Sequence, residues 1–245
     1  VLHTPNLYAH FWGEEWTHPA FADDIIAGLD SLFAGYSGSA YASIATEYYD
    51  RLGPVTTVAP YQGHSVSVRP APSTGGLTGS AMIAEVCEAT NNQPDPNGIY
   101  FVFTSSSHGA GACAIRAAGS CGTGRQAKPV LISGIPYASG ELGTGCDALQ
   151  DTQTGHSLAL AQIANIAVHE LAEFVTNPRN LGWTDAIGVE IAHKCFHVFP
   201  ASQADYPVFS NGTQWKLQGL WSNSAYRANE GLPNELGQPG CVFSR

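Results

Sequence analysis

The chain has 245 residues, of which 44% are hydrophobic and 12% charged, enough apolar material for one large core. Its 20 acidic and 10 basic side chains give a net charge of -10, which excludes a sequence-independent grip on nucleic acid or on an anionic membrane, since both need clustered Lys and Arg. Six cysteines beside a single methionine fit an oxidising compartment, hence a secreted protein with all six oxidised; six can pair in 15 ways, so the connectivity stays open.

The sequence opens at Val1 without the basic and apolar regions of a signal peptide, so any such peptide is expected to have been removed. Leu7, Ala9 and Phe11 alternate with Tyr8, His10 and Trp12, which predicts a strand covered on both faces and broken at Gly13. From Pro19 the residues Phe21, Ile25, Leu29 and Leu32 recur at helical spacing up to Gly35, and a short helix follows from Ser39 to Tyr49. Strands are expected at Thr56–Pro60, Ser65–Arg69, Ile99–Thr104 and Val130–Ile135, with a helix at Ser80–Thr90 between them. The Gly-rich stretch from Ser105 to Gly124 reads as a disulfide-pinned excursion, in which Cys113 and Cys121 are close enough to close a local loop.

The segment His156–Thr176 is helical by pattern, with Leu160, Ile163, Ala167, Leu171 and Phe174 on one stripe and Asn177-Pro178 as its stop. Its most apolar part, Leu158–Val168, is interrupted by Gln162 and Asn165 and is read as too short to cross a bilayer. Beyond Gly182 the pattern becomes irregular. The expected architecture is α/β, a mixed β-sheet packed with helices, forming one domain over 1–245. Residues 1–182 make the core with a zincin-like metal helix at 156–176, and 183–245 a loop-rich, disulfide-braced C-terminal portion.

Within that helix stands His169-Glu170-Leu171-Ala172-Glu173. Residues four apart share a helix face, so His169 and Glu173 can address one ion, while Glu170 is rotated by roughly a quarter turn from His169. The arrangement parallels H-E-x-x-H with the second histidine replaced by a carboxylate, a ligand that zinc also accepts. A further ligand is expected from the return segment, where Asp185, Glu190 and His193 are the candidates, with Glu190 and His193 three apart and Cys195 available to anchor them. H-E-x-x-E alone is a weak pattern, because two of its five positions are unconstrained. Context raises it: a chain with few charges sets a histidine and two glutamates inside an apolar helix.

Other candidates are weaker. Glu14-Glu15 would point to opposite faces of a strand, His197 reads as a surface residue although it lies four from His193, and Ser107-His108 is only sequence adjacency. Asn211-Gly212-Thr213 is an N-glycosylation triplet, common by chance.

Several of these residues carry a resemblance. Tyr8-Ala9-His10-Phe11-Trp12-Gly13, Tyr100-Phe101-Val102-Phe103-Thr104-Ser105, and His169-Glu170-Leu171-Ala172-Glu173-Phe174-Val175-Thr176-Asn177-Pro178 before Gly188-Val189-Glu190-Ile191 resemble the EXORDIUM or phosphate-induced protein family, most closely its microbial relatives. The resemblance implies an exported protein, associated with the cell surface or wall, whose metal-helix version looks like a metallopeptidase. Plant members largely lack the His and two-Glu set. His193 departs from the family, whose relatives tend to carry Asp there, and the two central cysteines are more widely spaced here. Imidazoles at 169 and 193 favour zinc, whereas a carboxylate-rich set would favour calcium. The expected activity is therefore zinc-dependent hydrolysis of a peptide or protein substrate. Glu170 is the general base on a metal-activated water, and His169, Glu173, Glu190 and His193 form the ligand pool. The alternatives are a non-catalytic secreted or wall-associated binding protein with a structural metal, and, more weakly, a glycan-active protein.

Overall fold

The computed structural model describes residues 1–73, 77–106, 113–137 and 151–245. In chain order the strands are β1 (Asn6–Trp12), the hairpin pair β2 (Tyr49–Asp50) and β3 (Gly53–Pro54), β4 (Tyr61–Ser67), β5 (Gly98–Thr104), β6 (Ile115–Cys121), β7 (Lys128–Pro136), β8 (Leu220–Trp221), β9 (Leu232–Pro233) and β10 (Pro239–Val242). The helices are α1 (Pro19–Ala22), α2 (Ile25–Tyr36), α3 (Gly79–Ala89), α4 (Leu158–Thr176) and α5 (Asn223–Ala228). Five strands form the central sheet in the order β4-β1-β5-β7-β6; the first four are parallel, and β6 returns antiparallel along the edge of β7. The fold is thus mixed α/β with a mixed sheet, as expected.

β5 is buried at every residue, as a central parallel strand is when helices cover both faces. Ile99, Phe101 and Phe103 enter the larger core with residues of α2 and α4, while Tyr100 and Val102 enter a smaller one with Met82 and Val86 of α3. Trp215, Leu217, Leu220, Trp221 and Cys241 also belong to the larger core, so the C-terminal portion, with its small β8-β10-β9 sheet, packs on the same apolar interior as α4.

Three local expectations are corrected. The helix read as continuous from Pro19 is broken at Asp23, whose φ of 44° no α-helix accommodates. Thr56–Pro60 forms no strand: its backbone meets the end of α2 instead, Gly38 N–H donating to Thr57 O and Ala59 N–H to the Ser37 hydroxyl. The Gly-rich stretch contains the edge strand β6. Its small residues are there because α3 lies close, a Cβ on Gly119 falling 2.5 Å from Ile83 Cδ1.

The cysteines follow the tertiary structure. Cys121 pairs with Cys87, tying β6 to α3, and the expected Cys113–Cys121 loop does not form. Cys195 pairs with Cys241 of β10. Cys113 is also disulfide-bonded, and Cys146 lies outside the described residues.

α4 is the structural axis. Ser157 caps its first turn, accepting from Leu160 N–H, and its 19 residues span about 28 Å. By length and composition this helix could cross a membrane, against the sequence reading, yet 89% of its apolar window is buried inside the protein. Among its buried residues are Gln162, Asn165, His169, Glu170, Glu173 and Thr176, polar groups that must find partners within the fold.

The Cys195–Cys241 bond closes a 46-residue separation across the C-terminal portion, and the loop entropy it removes from the unfolded chain corresponds to about 4 kcal/mol. The Cys195→Ser/Cys241→Ser double variant is expected to lose stability on that scale in urea titration. A loss below about 1 kcal/mol would show that the apolar interior alone holds this portion in place.

Candidate metal centre

His169 and Glu173 lie one turn apart on α4, and His169 Nε2 stands 3.3 Å from Glu173 Oε1. The third member comes from outside the helix. His193 opens a 3-10 turn, His193–Cys195, and its Nδ1 meets the same Glu173 oxygen. The three offer one donor atom each within 4.8 Å of one another. Tetrahedral zinc with bonds of about 2 Å needs its donors about 3.4 Å apart; His169 Nε2 and Glu173 Oε1 already stand so, and the His193 side chain, 53% exposed, has room to turn into place.

The outer contacts suit metal ligation. Gln218 Nε2 donates to Ala192 O at 2.8 Å, which fixes the amide and leaves Oε1 to accept from His169 Nδ1–H at 3.2 Å. His169 is therefore oriented with Nε2 toward Glu173, as a metal-ligating imidazole is set by the hydrogen bond its other nitrogen makes. Gln218 is held in turn, its N–H donating to Asn165 Oδ1 of α4 and its carbonyl accepting from Tyr41. Oε2 of Glu170 and Oε2 of Glu173 are buried and complete no hydrogen bond; the positive charge facing them is the guanidinium of Arg116, at 3.4 and 3.2 Å.

Of the sequence candidates, Glu190 and Asp185 stand elsewhere. Glu190 accepts from both terminal nitrogens of Arg116 and from Asn177 Nδ2 at 2.7 Å, and it lies outside the three-residue group. It follows α4 through an irregular return and a turn, so the three-residue spacing from His193 does not put both on one helical face. Asp185 binds Lys194 at 2.7 Å and accepts from the N–H groups of Ile187 and Val189, building the turn between them. His197, at φ 61°, lies 3.5 Å from Glu235. Glu14–Thr17 is a 3-10 turn rather than strand, and Glu15 accepts from the Ser105 hydroxyl. Asn211 is exposed but donates its amide to Ser31 of α2, and His108 lies outside the described residues.

Sequence reasoning missed Arg116. It sits on β6, inside the stretch read as an excursion, and reaches across to all three glutamates: Nε is 3.4 Å from Glu170 Oε2, Nη2 is 3.2 Å from Glu173 Oε2, and Glu190 closes on the same guanidinium. The available signal was scarcity, since only 10 basic residues serve the whole chain. Gln218 was missed as well; a lone glutamine near a strand carries no mark.

The site's electrostatics follow from this packing. Burial raises the Glu170 carboxyl, and its neighbours His169 and Arg116 only partly offset that. Burial pushes His169 down, but the Glu173 charge and hydrogen bond, the Glu170 charge and Gln218 together outweigh it and raise His169 to about 9. Glu173 resists ionisation through burial, yet His169 and His193 hold it well below the usual carboxylate range. No family model, curated protein or solved structure matches the chain.

A folded-state value for His169 raised from 6.5 to about 9 contributes stability that is complete below pH 6.5 and lost as pH rises through 9. In chelator, urea titrations of the metal-free protein are expected to lose on the order of 3 kcal/mol between those limits, and the His169→Gln variant to lose much less. Parallel pH curves for the two proteins would refute the His169–Glu173 pair.

Proposed function

We propose that this protein is an exported, zinc-dependent hydrolase of peptide bonds whose metal is held by His169, Glu173 and His193. The observation that carries the reading is the meeting of two imidazoles and one carboxylate, with His169 and Glu173 on a buried helix, His169 braced by Gln218, and solvent-exposed His193 reaching them from its turn. Two histidines and a carboxylate are a ligand set known for catalytic zinc, and imidazole donors favour zinc over calcium. Zinc so held would polarise a scissile carbonyl and make its attacking water acidic. Glu170, one residue along the helix and outside the ligand group, takes the proton and returns it to the leaving amine. Its burial suits that role, because a carboxyl raised toward neutrality both accepts and releases a proton readily. Arg116 balances the acids, engaging Glu190 with both terminal nitrogens while its Nε faces Glu170.

The disulfides of Cys87–Cys121 and Cys195–Cys241 are compatible with an extracellular protein. A peptide or protein substrate, and a place at the cell surface or wall, follow from this reading together with the EXORDIUM-like motifs. The competing reading is a binding protein with a structural metal. It draws on one contact, the Arg116 guanidinium 3.4 Å from Glu170, which would compete for the oxygen that general-base action needs.

Purified protein is expected to carry about one zinc per chain, lost in His169→Ala and in Glu173→Ala. Unchanged metal content in both variants would remove the site. Glu170→Gln should keep its zinc and its fold while chelator-sensitive cleavage of a peptide library falls by at least ~10²-fold. Wild-type cleavage that persists equally in the Gln variant would eliminate Glu170 from the mechanism, and absence of any chelator-sensitive cleavage would favour the structural metal.

A further inference from the structure

On the other face of the sheet α3 packs over β6 and β7, and a cleft of about 490 Å³ opens along β1 and β4. Its shape originates in a bulge. Leu7 pairs with Tyr61 and Ala9 with His64, so Gln62 and Gly63 together oppose the single residue Tyr8. Gly63 has a φ of 100°, and a Cβ there would meet nothing within 4 Å. The Tyr8 ring stacks on Tyr100 with centroids 4.7 Å apart.

Into this cleft faces a three-residue chain of hydrogen bonds. His10 and Ser65 are register partners on neighbouring parallel strands, so their side chains share a face, and Ser65 Oγ lies 2.7 Å from His10 Nδ1. His10 Nε2 lies 2.8 Å from Glu85 Oε1 of α3, and Glu85 Oε2 lies 2.8 Å from Arg69 Nη2. His10 and Glu85 are buried at 3% and 5% exposure, whereas Ser65 is exposed.

The direction of the chain can be deduced. Burial opposes ionisation of Glu85, but its bonds to His10 and Arg69 hold it below the usual carboxylate range. An ionised carboxylate only accepts, so His10 Nε2 carries a proton; with that as the ring's one proton, Nδ1 presents its lone pair to the Ser65 hydroxyl, which donates. That is the arrangement of a base-activated nucleophile with an orienting acid. The ring is inverted relative to the serine-protease order, where Nε2 faces the serine, but either nitrogen can relay the proton. A structural role would need only to satisfy His10. It would not call for an exposed hydroxyl at the wall of a cleft.

We propose that Ser65 is the nucleophile of a second, metal-independent site that hydrolyses small uncharged carboxylic esters, with His10 as general base and Glu85 as positioning residue. Ser65 Oγ bonds to the ester carbonyl carbon as its proton passes to His10 Nδ1. The carbon–oxygen bond to the alcohol then breaks, and His10 protonates the departing alkoxide. A water, giving a proton to His10, then bonds to the acyl carbon; the carbon–Oγ bond breaks, His10 returns the proton to Oγ, and the acid leaves. Gln62, Asn91 and Gln93 line the same cleft and offer neutral amides to the carbonyl oxygen, while Asp95 and the absence of Lys and Arg from the lining disfavour an anionic substrate.

The test is labelling of the purified protein by an alkyl fluorophosphonate, with the modified serine located by peptide mass spectrometry. Ser65 is expected to be labelled in the presence or absence of chelator, which separates this site from the zinc centre. Ser65→Ala should abolish the label, and folded His10→Gln should slow it at least ~10²-fold. No label on Ser65, or an equal rate in folded His10→Gln, overturns the proposal. Because His10 is buried, a second measurement leaves it intact: Ser65→Cys should be alkylated by iodoacetamide at pH 6 at least ~10-fold faster than free cysteine, as a histidine-paired thiol is. A rate no faster than that of free cysteine also overturns it.

Discussion

Glu173 has no exposed surface, yet its carboxylate meets His169 at 3.3 Å, Arg116 at 3.2 Å and the imidazole of His193. A buried carboxylate is tolerated only when its charge is answered on the spot, and here the answers come from three separate elements, α4 itself, β6 and the turn at His193. The position of β6 against α4, the path of the chain after Asn177 and the seat of the C-terminal portion all have to agree for that one side chain to remain ionised. Satisfying this group therefore ties the sheet edge and the return segment to the axis of the fold.

The same constraint explains why Glu170 and Glu173 shift in opposite directions. Glu190 has two terminal nitrogens of Arg116 and an amide from Asn177. Glu170 has only the 3.4 Å approach of Nε, so burial dominates and raises it. Two carboxylates on one helix turn thus differ because Glu173 meets two imidazoles and Arg116, whereas Glu170 has only the longer approach of the same guanidinium. Gln218 adds rigidity: with both ends of its amide engaged, it leaves the His169 ring one orientation.

The sheet separates two polar systems. α4 brings its charged residues to the larger core on one face, and α3 brings Glu85 toward β1 on the other. Alternation along β1 makes this inevitable, since Ala9 and Phe11 serve the first face while His10 serves the second. The two networks share neither side chains nor strands: Arg116 of the first stands on β6, and His10 and Ser65 of the second stand on β1 and β4.

Periodicity alone determined the elements with strong local signals: β1, β5, β7, α3 and the body and stop of α4, where apolar spacing and Asn177-Pro178 act within a turn of the residue they govern. It also placed His169, Glu170 and Glu173 on adjoining parts of one helix, because four-residue spacing is a property of the helix and not of its surroundings. Only the tertiary structure decided which distant groups meet them. Arg116 arrives on an edge strand whose small residues reflect close approach of α3 and carry little strand propensity, and Gln218 arrives from a segment without pattern. The choice of His193 over Glu190 at Glu173, and of Cys87 over Cys113 as the partner of Cys121, follows from how the sheet edge and the C-terminal portion close on α4 and α3. Spacing along a chain constrains neighbours within a few residues, whereas groups such as Arg116 and Glu173, 57 residues apart in sequence, choose partners by the desolvation they must offset, which exists only once the core has formed.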